Sequence, residues 1–235
     1  MKIQGSIALV TGANRGLGAA FARGLLAFGA AKVYAGARAP SSVKLSGVVA
    51  VRLDVTQPEQ VDKLASELHD ITLLVNNAGI GEFGPLLGPG AVESLQRQFD
   101  INAVGPLRLV QAFAPALAAN GGGAVVNVLS VLSWLTLAGR SGGYSASKAA
   151  AWALSNALRQ ELKAQDTQLL AVHAGFIDTD MARAVPGPKS SPDDIVRQVI
   201  TALEAGQPEL LADAITLDVH RGLAAEPPVY VGARG

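Results

Sequence analysis

The fold is decided by residues 7–18, which read IALVTGANRGLG. The first four residues are a short apolar run, typical of a buried parallel strand. The glycines that follow are spaced G-x-x-x-G-x-G, and a helix is predicted from about Leu17 to Phe28. Such glycines let the chain turn tightly and bring backbone N–H groups and the positive helix N-terminus against a pyrophosphate. Strand, loop and helix in this order favour dinucleotide binding over a plain turn.

The second predicted strand, Lys32–Arg38, indicates which dinucleotide binds. A site for NAD usually has Asp or Glu near the end of this strand to accept hydrogen bonds from the ribose 2′-OH. This chain has Ala37 and Arg38 there, and Arg15 in the glycine loop adds a second cation. Because a planar guanidinium suits a 2′-phosphate, we predict NADP(H). The alternative is that both arginines merely face solvent.

Strands and helices alternate along the rest of the chain. Further strands are predicted at Gly47–Leu53, Ile71–Val75, Ala124–Leu129, Leu169–His173 and Glu209–Ala212. Helices are predicted at Pro58–His69, Val92–Ala119, Tyr144–Lys163 and Asp193–Glu204. This alternation predicts an α/β fold with a Rossmann-type, doubly wound parallel sheet, and the length predicts one domain over residues 1–235.

Composition excludes several classes of protein. The 235 residues include 19 basic and 19 acidic side chains, no cysteine and three scattered histidines. Near-zero net charge gives no sign of a nucleic-acid or membrane-surface partner, and disulfides and thiolate metal sites are excluded. We expect no metal site. The apolar runs are too short to span a bilayer and no signal-peptide pattern is present, so we expect a cytoplasmic protein.

Tyr144 and Lys148 lie four residues apart at the start of a predicted helix. That spacing is about one helical turn, so both side chains project from one face. A nearby ammonium favours the phenolate, and we therefore expect Lys148 to lower the pKa of Tyr144 and make it an acid or base near neutrality. Taken alone, the pair could also be a chance occurrence in a helix.

Three motifs together carry a resemblance to a known family. They are the T-G-x-x-x-G-x-G loop of Thr11–Gly18, the N-N-A-G of Asn76–Gly79 and the Y-x-x-x-K of Tyr144–Lys148. In this order they make the chain resemble a short-chain dehydrogenase/reductase of the compact, single-domain subgroup. The resemblance covers nearly the whole chain.

The resemblance implies four catalytic residues, which are Asn102, Ser130, Tyr144 and Lys148. Tyr144 would exchange a proton with the substrate oxygen, Lys148 would hold the nicotinamide ribose, and Ser130 would orient the substrate. Ser130 lies one residue further from Tyr144 than expected, and Leu129 replaces a common second serine, so Ser133 is an alternative.

Pro106 lies in the predicted helix four residues after Asn102 and has no N–H to donate to the Asn102 carbonyl. We expect this carbonyl to hold a water that connects to Lys148 as a proton relay, a role that the family assigns to this asparagine. The alternative is a simple helix kink.

The resemblance also implies the cofactor contacts. The predicted residues are Gly12, Asn14, Arg15, Gly16, Leu17, Gly18, Arg38, Asp54, Val55, Asn76, Ala78, Gly79, Tyr144, Lys148, Gly175, Ile177 and Thr179. Asp54 and Val55 would flank the adenine, and Ile177 and Thr179 would hold the nicotinamide carboxamide. Ala174 replaces the proline that the family commonly has there.

The substrate region is predicted from composition. Residues 182–192 are rich in Pro, Gly and Ser, as a flap over the substrate would be, and the flap is predicted at about 178–192. A lining of Phe83, Trp134, Leu135 and Phe176 would suit a hydrophobic ketone or alcohol, whereas His173 is predicted to be a strand residue and not a catalyst.

The predicted function is an NADP(H)-dependent oxidoreductase that moves a hydride between the nicotinamide and a carbonyl or secondary alcohol. The alternative is a dinucleotide-binding sensor or scaffold without turnover. Ala149, Ala150, Ala151, Ala153 and Ala157 give the Tyr144 helix a smooth surface, and the resemblance implies a homodimer or homotetramer through such helices.

Overall fold

The computed structural model describes residues 1–231, so the last four residues of the predicted domain, 232–235, lie outside the described part. Seven parallel strands form one sheet in the order β3-β2-β1-β4-β5-β6-β7. The strands are β1 (Ile7–Thr11), β2 (Lys32–Ala37), β3 (Val49–Arg52), β4 (Leu73–Asn76), β5 (Gly123–Val128), β6 (Thr167–His173) and β7 (Glu209–Leu211). This confirms the predicted doubly wound parallel sheet, with its reversal of strand order between β1 and β4.

Helices cover both faces of the sheet. They are α1 (Gly16–Ala27), α2 (Pro58–Glu67), α3 (Ala91–Phe99), α4 (Gly105–Ala119), α5 (Gly142–Leu162), α6 (Pro192–Glu204) and α7 (Ala214–Gly222). Helices α1 and α6 pack together on one face, and α2, α4 and α5 on the other. The link between β2 and β3 contains only a 3-10 turn at Pro40–Ser42, as its length predicts.

The short apolar runs are strands because each is buried on both faces. Leu9 and Leu74 contribute to the core beneath α2 and α4, while Val10 and Val75 contribute to the core beneath α1 and α6. All four are at most 1% exposed. Neighbouring residues of one strand thus belong to opposite cores, which explains the absence of polar alternation in these segments.

Two helical features differ from the sequence predictions. The predicted helix Val92–Ala119 is α3 and α4 joined by a π-helical segment, Asp100–Val104, in which Gly105 N–H donates to the Asp100 carbonyl. Helix α7 was not predicted; its N-cap is Asp213, whose carboxylate accepts a hydrogen bond from Thr216 N. Among residues 1–231, no helix combines the length and apolar character needed to cross a membrane.

Candidate active site

A cleft of about 840 Å³ lies along the carboxyl ends of the strands, where β1 and β4 diverge. In open α/β sheets this edge is the usual ligand site. Sixteen of the seventeen predicted cofactor residues line the cleft, the exception being Asn76. They are Gly12, Asn14, Arg15, Gly16, Leu17, Gly18, Arg38, Asp54, Val55, Ala78, Gly79, Tyr144, Lys148, Gly175, Ile177 and Thr179.

The glycine loop packs too closely against its neighbours to accept side chains at its glycines. A Cβ added at Gly18 would lie 2.2 Å from the Gly12 carbonyl oxygen and 2.5 Å from Asn77 Nδ2, while Gly12 itself has φ +65°. Arg15 occupies the N-cap of α1 without a side-chain capping bond. The N–H groups of the first turn are thus available to an anion at the positive end of the helix, and the loop fits a pyrophosphate.

The two asparagines of the N-N-A-G motif have different partners. Asn77 Nδ2 donates to the Thr11 carbonyl over 2.9 Å, which ties β4 to the glycine loop, and Asn77 lines the cleft. Asn76 is buried and donates to Asn127 Oδ1 on β5 over 2.8 Å. Asn76 therefore stabilises the sheet centre and lies away from the cleft, contrary to its predicted cofactor contact, and Asn77 is the residue that sequence reasoning missed. Alternation along the strand could have separated them, because neighbouring residues face opposite sides.

The two arginines predicted to select NADP(H) both line the cleft. Arg38 is exposed directly after β2. Arg15 is also exposed and forms an ion pair with Asp180 over 3.4 Å. Asp54, after β3, accepts hydrogen bonds from Thr56 N and Thr56 Oγ1. Arg38 thus places a cation at the end of β2, where an adenosine ribose would bind, while the Arg15 guanidinium lies against Asp180.

Tyr144 and Lys148 occupy the first two turns of α5 and reach the cleft together. Both are buried, with relative exposures of 8% and 6%. Lys148 Nζ donates to the Val128 carbonyl over 2.7 Å and lies 5.9 Å from the centre of the Tyr144 ring. Strand β5 thus holds the ammonium beside the phenol.

The prediction that Lys148 lowers the pKa of Tyr144 is wrong. Burial raises the pKa of Tyr144 to about 12, and the Ser130 side chain only partly opposes that rise. Burial also lowers the pKa of Lys148 to about 8. The physical reason is that both charged forms lose solvation, while the ammonium is directed at the Val128 carbonyl and not at the phenol oxygen. Tyr144 therefore holds its proton at neutral pH.

Ser130 and Ser133 stand at opposite ends of one 3-10 turn, Val131–Ser133. Ser130 precedes it and lines the cleft, and its Oγ accepts a hydrogen bond from Leu132 N over 3.1 Å. Ser133 is buried, and within the described residues its Oγ has no hydrogen-bond partner and does not line the cleft. Of the two candidates, the structure brings Ser130 to Tyr144.

Asn102 lies behind the cleft in the π-helical segment and is 2% exposed. Its amide accepts from Ile80 N and donates to the Ile80 carbonyl, each over 2.9 Å, and donates to Ser147 Oγ over 3.0 Å. The side chain therefore links the cofactor edge of the sheet to α5. The relay through the Asn102 carbonyl and Pro106 stays a prediction.

The substrate end is only partly as predicted. Phe83 and Phe176 line the cleft, whereas Trp134 and Leu135 do not. Trp134 instead stacks on His173 beneath the Ser130 turn. Within residues 1–231, no group of three or more His, Cys, Asp or Glu side chains could hold a metal ion.

Lys148→Met tests the cost of burying this ammonium. Because the folded-state pKa is lowered to about 8 from the ordinary 10.5, wild type is penalised below pH 8 and the penalty disappears as pH rises to 10.5. The Met variant should therefore be more stable than wild type below pH 8, and this difference in unfolding free energy should shrink by up to roughly 3 kcal/mol at high pH. Denaturant unfolding across this range measures it. Lys44→Met, at an exposed lysine, is the control, and an equal difference at all pH values would contradict the account.

A family model described as short chain dehydrogenase matches residues 6–189. This chain belongs to the short-chain dehydrogenase family. The matched residues include the glycine loop, Asn77, Ser130, Tyr144 and Lys148, whereas α6, β7 and α7 follow the matched range.

Several known proteins resemble this chain over nearly its whole length. A Burkholderia cenocepacia short chain dehydrogenase solved in complex with NADP is 42% identical, with a TM-score of 0.92 and 97% of each chain covered. Galactitol 2-dehydrogenase of Agrobacterium fabrum is 31% identical, covering 93% of this chain and 98% of the relative. The 3-oxoacyl-(acyl-carrier-protein) reductase FabG of Escherichia coli is 30% identical, covering 98% and 94%.

Proposed function

We propose that this short-chain dehydrogenase is an NADP(H)-dependent oxidoreductase that interconverts a hydrophobic ketone and its secondary alcohol. The observation that carries the proposal is the convergence of Tyr144, Lys148 and Ser130 at one end of the cleft that begins at the glycine loop. A sensor that binds the dinucleotide without turnover would not need a buried phenol and a buried ammonium side by side, because burying them costs stability.

The NADP(H) assignment rests on charge. Arg38 and Arg15 supply cations beside the adenosine end, and no carboxylate follows β2 directly to accept from a ribose 2′-OH. The Burkholderia cenocepacia relative solved with NADP supports it. Lys148 would hold the nicotinamide ribose, and Ile177 and Thr179 would hold the carboxamide.

The chemistry divides between cofactor and protein. The bound cofactor supplies or accepts the hydride. Tyr144, which keeps its proton at neutral pH, donates it from Oη to the substrate oxygen as negative charge develops there. Ser130 Oγ orients that oxygen. The phenolate that remains takes a proton back from water, because burial keeps the pKa of Tyr144 at about 12. Alcohol oxidation uses the same groups in reverse.

The substrate end of the cleft is apolar. Phe83 lies with its ring centre 5.5 Å from that of Tyr144, and Leu132, Met181 and Val185 complete the wall. Arg97 lines the cleft too, but its guanidinium is bound to the Glu82 carboxylate through Nε at 3.1 Å and Nη2 at 2.7 Å. A polyol would lose hydrogen bonds to water here without replacement, so we favour a hydrophobic ketone.

A substrate screen tests this proposal. Wild type with NADPH should reduce aryl and alkyl ketones, with kcat/KM at least tenfold above that for a polyhydroxy ketone or a 3-oxoacyl thioester. Following the loss of reduced-nicotinamide absorbance measures the rates. Binding of NADPH without turnover of any compound would favour the sensor, and preference for the polyhydroxy ketone would overturn the substrate class.

Three further features belong to this proposal. Residues 178–192 act as the substrate flap, anchored by the bridge between Ile177 and Ser190. The exposed Ala153 and Ala157 on α5 provide the close-packing surface of a homodimer or homotetramer. The protein works in the cytoplasm, consistent with its lack of cysteine.

A further inference from the structure

A buried histidine lies directly behind the active-site serine. His173, the last residue of β6, is 0% exposed. Its Nδ1 lies 3.2 Å from the Ser130 carbonyl oxygen, and its Nε2 lies 3.0 Å from Glu209 Oε1 on β7. Trp134, at the end of the Ser130 turn, stacks on the imidazole with ring centres 4.0 Å apart and planes 18° apart.

Both partners of this imidazole are acceptors. A carbonyl oxygen can only accept, so this contact is a hydrogen bond only when Nδ1 carries a proton. Glu209 is also an acceptor, since the hydrogen bond from His173 holds the pKa of its carboxyl below the ordinary value. Both acceptors lie within hydrogen-bond distance of the ring, and each can take a proton from it only if both nitrogens carry one.

The other charged groups around this pair are few in the described chain. Arg159 on α5 and His220 on α7 both have electrostatic interactions with Glu209. Asp213, at the start of α7, is bound to Gly175 N and Thr216. The charged or titratable groups that act on the Glu209 carboxylate in the described chain are thus basic, which favours its charged state.

The histidine acts on the backbone that holds the serine hydroxyl. The Ser130 carbonyl accepts from Ser133 N over 3.0 Å as well as from His173, and the flanking N–H groups of Leu129 and Val131 are bound to β6 and the residue after it. The peptide orientation at Ser130 is therefore fixed from several directions, and with it the direction of Oγ into the cleft.

We propose that His173 and Glu209 are positioning residues, in which a buried imidazolium–carboxylate pair fixes Ser130 through its carbonyl oxygen for the proton-transfer step. The activity part rests on the proposed function, whereas the protonation of the ring does not. His173 makes no contact with substrate or cofactor in this scheme and acts only through Ser130.

Two substitutions of His173 distinguish a role in positioning Ser130 from a role in packing alone. His173→Asn retains an amide N–H at the position of Nδ1 and can still bind the Ser130 carbonyl; His173→Gln retains one at the position of Nε2 and can bind only Glu209. The Gln variant should lose kcat roughly 10-fold to 100-fold with an unchanged KM for NADPH, and the Asn variant should retain most of it. Equal losses, or a larger loss in Asn, would overturn the proposal.

NMR of wild type labelled with ¹⁵N-histidine tests the ring directly, without turnover. His173 should show two exchange-protected ring N–H signals near neutral pH. These signals are assigned to His173 because they should persist in both the His69→Gln and the His220→Gln variants. A single ring proton overturns the inference and leaves the proposed function intact. Wild type that reduces none of the ketones overturns the proposed function, while the two signals still decide the state of the pair.

Discussion

Tyr144→Phe is expected to lower kcat/KM for ketone reduction by roughly 100-fold to 10,000-fold, the usual contribution of a positioned general acid. The phenol is the group at the apolar end of the cleft that holds a proton at neutral pH, because burial raises its pKa to about 12. Without it, the oxygen that gains charge during hydride transfer must take its proton from water. Initial rates with NADPH and the best ketone of the screen measure the loss.

The controls for this variant separate chemistry from binding. Phe keeps the ring contact with Phe83 and the burial of Tyr144, so the dissociation constant for NADPH should change less than threefold and the fold should persist. Ser130→Ala should also lose most activity. Ser133→Ala, at a buried serine away from the cleft, should not. A Tyr144→Phe protein as fast as wild type would contradict the assigned acid.

Arg38→Asp is expected to reverse the cofactor preference. The substitution removes a cation from the predicted 2′-phosphate site and places there the carboxylate that accepts from a ribose 2′-OH in NAD sites. A lost charge-assisted hydrogen bond is worth about 1.5–3 kcal/mol, and the added negative charge repels the phosphate. The ratio of kcat/KM for NADPH to that for NADH should therefore fall by roughly 100-fold or more.

A matched variant on the other arginine defines the site further. Arg15→Gln leaves Arg38 in place but removes the second cation and its ion pair with Asp180. The preference for NADPH should therefore weaken without reversing. If Arg38→Asp instead left the preference unchanged, Arg38 would be an ordinary solvent-facing arginine and the 2′-phosphate would be bound elsewhere.

Much of the architecture follows from local sequence. The apolar runs at β1 and β4 have no polar alternation because both faces of the sheet are covered. The glycines after β1 occupy positions where a Cβ would be too close to neighbouring atoms. The Tyr144 and Lys148 spacing places both on one face of α5. These features depend on residues close in the chain, which is why sequence reasoning found them.

The features that sequence reasoning missed depend on contacts distant in the chain. Helix α7 is short, and its cap residue Asp213 also binds Gly175 N, 38 residues away. The π-helical segment shows no pattern beyond Pro106. The direction of the Tyr144 pKa shift was wrongly predicted, because residue spacing cannot show that Lys148 is directed at the Val128 carbonyl and that the phenol is buried.

The central claim is that the chain moves a hydride from NADPH to a carbonyl carbon beside Tyr144. Its most direct measurement uses NADPH deuterated at the reactive C4 position of the nicotinamide, incubated with wild type and the best ketone of the screen. Testing each of the two C4 stereoisomers separately, the account predicts one deuterium on the carbinol carbon of the alcohol from one isomer, and the same product only in traces with Tyr144→Phe. Alcohol that carries no deuterium from either isomer, or no alcohol at all despite bound NADPH, would contradict it.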